Sequence, residues 1–102
     1  MVVSDWDDFE WDEDNENHIA EHDVDPYEAE EAVTDRVTDR GAIIWRDGTD
    51  KFGNPRYLCI GKTEDGRILF LVIDRKGERR WRVGSARPAG PKARKAYRKR
   101  TR

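Results

Sequence analysis

The sequence predicts an α+β fold: a small antiparallel sheet with two N-terminal helices and a C-terminal helix. Three observations carry this. Asp25-Pro26-Tyr27-Glu28 places an N-cap, a proline at N1 and a glutamate at N3 in the order that opens a helix. Residues 56–86 alternate apolar runs with two tight-turn signals, Glu64-Asp65-Gly66 and Arg75-Lys76-Gly77-Glu78. Pro91 then opens a segment in which Ala93, Ala96 and Tyr97 share one helical face.

Taken in order, residues 1–8 form an acidic tail expected to be poorly ordered, and 9–100 a single domain. Phe9 to Asp12 alternates apolar and acidic residues, as a short strand does. Asp12 is a credible N-cap for a first helix over 13–22, with acids in its first turn where the helix dipole favours them. The second helix runs from Pro26 to about Val33, with Tyr27, Ala32 and Val24 facing inward and Glu28, Glu30 and Glu31 in solvent. Val33 to Arg36 is repeated as Val37 to Arg40, a local duplication too short for a repeat architecture.

Ala42 to Trp45 reads as a strand and residues 46–55, with Gly48, Gly53, Asn54 and Pro55, as a loop. Arg56 to Lys62 is the next strand. Ile68 to Ile73 is six apolar residues in a row, which predicts a central strand buried on both faces. From Arg79 to Ala86, Trp81, Val83 and Ser85 take one face and Arg80, Arg82 and Gly84 the other. The last helix spans roughly 91–100.

Charge is divided between the two ends. Residues 1–39 hold 16 of the 22 Asp and Glu but one of the 20 Lys and Arg. The net charge of −2 therefore conceals an acidic and a basic pole, and the basic pole suits an anionic partner such as nucleic acid. With 102 residues and 35% hydrophobic content the core must be thin, which favours a homodimer or a partner complex. The lone Cys59 argues against a disulfide scaffold, and no apolar stretch is long enough to cross a bilayer, so the expected location is cytoplasmic.

His18 and His22 stand four apart on one helical face, the spacing of a metal-binding pair, but no third ligand is evident and no metal is expected. The basic segment from Lys92 to Arg102 is a solvated helix or a grip on RNA.

An ordered set of segments resembles the BrnT family. It comprises Phe9 to Asp12, Asn17 to His22, Val24 to Ala32, Arg56-Tyr57, Gly61 to Arg67, the apolar strand, Ser85 to Arg87, and Tyr97 ten residues on. The resemblance spans about residues 9–98. It implies a ribonuclease toxin of a type II toxin–antitoxin pair, similar in fold to the RelE group, that cuts RNA without a metal or cofactor. It also implies a small antitoxin protein as partner, in a hetero-oligomer.

Such cleavage needs help in deprotonating the 2′-OH, cations for the charged phosphorane and a donor for the leaving 5′-oxygen. Arg67 and Arg87 match the family pattern and are the candidates for phosphate, with Tyr97 as donor or support. Arg80, Arg82, Lys92 and Lys95 are the candidates for steering RNA. The chain departs from the family in two places. Asp23 stands where relatives keep Gly, a position that Asp tolerates in the left-handed conformation. Ala93 stands where relatives commonly carry Glu, which motivates an alternative: a catalytically degenerate module that binds nucleic acid or protein.

Overall fold

The structure is a computed structural model and describes residues 3–4, 6–38 and 40–100. Its elements are β1 (Asp8–Glu10), α1 (Glu13–Ala20), α2 (Pro26–Thr34), β2 (Ile43–Thr49), β3 (Pro55–Lys62), β4 (Ile68–Gly77), β5 (Arg80–Pro88) and α3 (Pro91–Arg100). The expected α+β class is what the chain adopts. The five strands form one sheet in the order β1-β5-β4-β3-β2. It is antiparallel from β2 to β5, but β1 adds to β5 in parallel, so the sheet is mixed.

Both helix starts are built as the sequence implies. Asp12 accepts from the Asn15 backbone at 3.1 Å while the Asn15 side chain accepts from the Asp12 backbone at 2.8 Å. Asn15 is buried and also donates to the Glu10 and Val83 carbonyls, stitching α1 to β5 just where β1 ends. At the second start the Asp25 backbone donates to Glu28 Oε1 at 3.2 Å. Asp23 takes the left-handed conformation (φ 58°), which accounts for its tolerance in the turn.

The main core lies between one sheet face and the α1–α2 layer. Ile19, Val24, Ala29, Ala32 and Val33 meet Cys59, Leu69, Leu71, Ile73, Trp81 and Val83 there. Gly61 is what lets α2 approach: a Cβ at that position would sit 1.7 Å from the Ala32 carbonyl oxygen. Burial pushes the Cys59 thiol well above its usual range and leaves it inert. Across the sheet, α3 covers only one end. Tyr97 and Ala89 close over Ile60 and Ile68, with Ile43, Phe70 and Ala93 half-buried around them.

Several local expectations change. Residues 46–49 continue β2 through a bulge instead of forming a loop. The six-residue apolar run is not buried on both faces, because Phe70 and Val72 look onto the part of the sheet that α3 leaves open. A bulge opposite Val72 and Ile73 shifts the alternation of β5, so Ala86, not Ser85, follows Val83 into the core. Tyr27 is exposed, whereas Glu28 is buried. Of the acidic tail, Met1, Val2 and Asp5 lie outside the described residues; Val3 is packed in the main core, and Asp7 accepts from the Trp81 indole at 3.1 Å.

Candidate nucleic-acid interface

Strand alternation and register assign the exposed side of the sheet. Trp45 pairs with Leu58, Leu58 with Val72, and Val72 with Ser85; one step along, Phe70 pairs with Arg87. These side chains share the face opposite the main core. Trp45 and Phe70 meet edge to face with centroids 6.4 Å apart. The Arg87 guanidinium lies 5.6 Å from the Phe70 ring centroid, a cation–π seat on the open face. Arg87 is exposed, and among the described residues no carboxylate pairs with it. Lys92 and Lys95 project into solvent from α3, which borders the same face, and likewise have no ion pair.

The other expected site residues are placed differently. Arg67 is not beside Arg87. It reaches the α1–α2 side, where one Nη donates to the Asp23 carbonyl at 2.9 Å and to the Glu28 carboxylate at 2.9 and 3.0 Å. Its guanidinium is thus committed to holding the turn between the two helices. Tyr97 is fully buried, and its hydroxyl donates to Asp35 at 2.6 Å. Burial first, and then this bond, push its pKa up to about 12.

Arg80 and Arg82 lie on the strand edge that β1 joins, and the acidic pole neutralises them. Glu10 pairs with Arg80 at 3.1 Å and Asp12 with Arg82 at 2.7 Å; Asp7 reaches Arg79 at 3.5 Å. The Arg82 guanidinium holds the Asp12 carboxyl at about 2 and is itself raised by it. The two poles of the chain are therefore partly folded onto each other. Such partly exposed pairs are weak and can exchange for phosphate.

Below the aromatic row an open cleft of about 660 Å³ runs between α1 and the β2–β3 turn. Arg56 and Asp74 form a two-pronged pair on its floor at 2.8 and 3.1 Å. His18 lines one wall, while His18 and His22 are both exposed, 6.5 Å apart between ring centroids. Among the described residues no three His, Cys, Asp or Glu side chains converge as metal ligands do.

The sequence did not show Trp45 and Phe70 together on the open face, Asn15 and Asp35 as organisers, or Glu28 as the partner of Arg67 in addition to its place in the helix start. The aromatic pair was not readable locally, since its meaning depends on which end of the sheet α3 covers.

A mixed five-stranded sheet with one open, arginine-bearing face, backed by two helices and flanked by a basic one, defines a small α+β domain whose open side suits an anionic partner. Comparison with known families makes this specific: residues 11–93 match the BrnT family, ribonuclease toxins of type II toxin–antitoxin systems, and the chain belongs to that family. Membership implies an RNA substrate and an antitoxin partner. No curated protein matches the chain. No helix among the described residues is long and apolar enough to cross a membrane.

Proposed function

We propose that this chain is a metal-independent endoribonuclease toxin, RelE-like in architecture, that acts in the cytoplasm on RNA laid across the open sheet face. The observation that carries the reading is Arg87, an exposed guanidinium with no carboxylate partner among the described residues, seated on Phe70 beside the cations of α3. The reaction is attack of a ribose 2′-oxygen on the adjacent phosphorus. The O2′–P bond forms and the P–O5′ bond breaks. The 2′-OH proton passes to water and O5′ takes a proton from water, leaving a 2′,3′-cyclic phosphate and a 5′-hydroxyl. Arg87 faces the non-bridging oxygens, where its planar fork stabilises the charge that grows in the phosphorane. Ser85, paired with Val72 one step away on the same face, is a neutral donor.

Lys92 and Lys95 steer the backbone, with Arg80 and Arg82 joining once phosphate displaces Glu10 and Asp12. Arg67 and Tyr97 act at one remove. Arg67 secures the α1–α2 turn through Glu28, and Tyr97 anchors α3 to Asp35. The antitoxin neutralises the toxin as a bound protein.

The test is cleavage of a single-stranded RNA in EDTA. The wild-type chain cuts it and yields cyclic phosphate ends, while Arg87→Ala loses cleavage with its melting temperature unchanged. Full activity in Arg87→Ala sinks the site assignment. A second reading, a binding module without catalysis, is favoured by Ala93, which brings no carboxylate to the edge of this face. RNA binding without cleavage in the same assay selects it.

A further inference from the structure

We infer that Trp45 is a stacking platform for one unpaired RNA base, and so sets which nucleotide lies beside the scissile phosphate. The inference deepens the reading above and rests on it. Trp45 differs from the tryptophans of the core. Trp81 is buried and its indole N–H is bonded to Asp7, and the Trp11 N–H is bonded to Glu30 at 2.7 Å. Trp45 is 39% exposed, belongs to neither buried cluster and sits on the edge strand β2. A large apolar ring on a sheet edge is an aggregation liability unless it is used.

Its surroundings say what it is used for. The edge-to-face contact with Phe70 fixes the indole without covering it. Phe70 in turn carries Arg87, so a flat aromatic surface and a phosphate-binding cation lie side by side on one face. Leu58 and Val72, half-buried between them, keep the floor apolar. A nucleotide presents the same pair of features, a planar base and an anionic phosphate. A duplex hides its base faces by stacking, so only an unpaired base can occupy the platform. Charge complementarity with α3, whose described residues hold Lys92, Arg94, Lys95, Arg98, Lys99 and Arg100, favours a polyanion over an apolar peptide.

The experiment is binding of a short single-stranded oligoribonucleotide, measured by fluorescence anisotropy, with a matched oligonucleotide carrying an abasic site at the position next to the cleaved bond. Trp45→Ala is expected to weaken binding of the intact strand roughly tenfold to a hundredfold, as loss of one aromatic–base stack does. Trp45→Phe is expected to stay within a few-fold of wild type. On the abasic strand wild type and Trp45→Ala are expected to bind alike. Equal binding of the intact strand by wild type and Trp45→Ala overturns the inference. So does a Trp45→Ala defect that persists on the abasic strand, because it then reports on the backbone, the fold or a protein-docking role. Arg87→Ala separates the two levels. If it loses cleavage while Trp45→Ala changes nothing, stacking falls and the phosphate site stands. If neither variant changes anything, both fall.

Discussion

The Tyr97 hydroxyl donates to the Asp35 carboxylate across 2.6 Å in the interior of the protein. Asp35 ends α2 in a left-handed conformation (φ 36°), and its carboxylate also accepts from the Lys62 and Thr38 backbones. One buried side chain thus joins the end of α2, the end of β3 and the inner face of α3. Arg100 adds a second tie by donating to the carbonyls of Gly41 and Arg40. The helix that flanks the open sheet face is thus held by these polar ties as well as by its packing over Ile60 and Ile68.

Tyr97→Phe should therefore cost stability rather than chemistry. It removes one donor to a buried carboxylate, worth about 1.5–3 kcal/mol. Thermal melting should show a drop of roughly 10 °C. Cleavage per folded molecule, measured well below the melting temperature, should stay near wild type. A folded Tyr97→Phe protein without cleavage would show instead that the hydroxyl reaches the leaving oxygen.

The same bond predicts a pH dependence. The Tyr97 pKa rises from its ordinary 10.0 to about 12 in the folded state, through burial and then the bond to Asp35. Between these values the unfolded chain has released the proton and the folded chain has kept it. Fewer protons are then bound in the unfolded state, so stability falls as pH rises. The contribution is whole below pH 10 and gone above about 12. Chemical denaturation across this window should show a steeper loss for wild type than for Tyr97→Phe, and parallel curves would contradict the assignment.

Arg67 and Glu28 make a second relationship that separates structure from catalysis. Glu28 is 6% exposed, and Arg67 is its cationic partner. Glu28→Ala strands that cation and removes the acceptor for the Asp25 backbone, at a cost of about 2–3 kcal/mol once the partial exposure of Arg67 is allowed for. Arg67→Ala should destabilise comparably, and a double-mutant cycle should show strong coupling between the two. Loss of cleavage in a stably folded Arg67→Ala protein would return Arg67 to the phosphate.

The parts of this arrangement that were legible in the sequence are the local ones. Pro26 and Pro91 each mark a helix start, Gly66 marks the β3–β4 turn, and 3.6-residue spacing puts Tyr97 inward. What was hidden depends on contacts far apart in the chain. Nothing local in Asp8 to Glu10 says that this segment pairs in parallel with Arg80 to Arg82, so the neutralisation of the arginines by the acidic pole was out of reach. Ser85 and Ala86 exchange faces because of a bulge, and alternation alone has no way to place one. Phe70 and Val72 sit in an unbroken apolar run, which cannot reveal that α3 stops short of covering them.

Salt dependence tests the role of α3. Each lysine that neutralises a phosphate of a single strand contributes about −0.7 to the slope of log K against log salt. Replacing both Lys92 and Lys95 with Gln should flatten that slope by about 1.4 and weaken binding across sequences alike. An unchanged slope would mean that RNA does not run along this helix.

Ala93 offers the most direct test of catalytic completeness. It lies in the first turn of α3 and borders the apolar cluster that Phe70 also borders, with Arg87 resting on Phe70. Ala93→Glu therefore brings a carboxylate to the rim of the proposed site, at a helix N-terminus that favours negative charge. A positioned base accelerates proton removal on the order of 10²-fold or more, so single-turnover cleavage in EDTA should rise by about that factor. RNA affinity should hold or fall slightly, because the substitution adds an anion. A rise in rate without a rise in affinity identifies the missing element as the base for the 2′-hydroxyl. No rise, with binding and melting temperature intact, would assign proton removal to another group, and His18 in the neighbouring cleft is the next position to substitute.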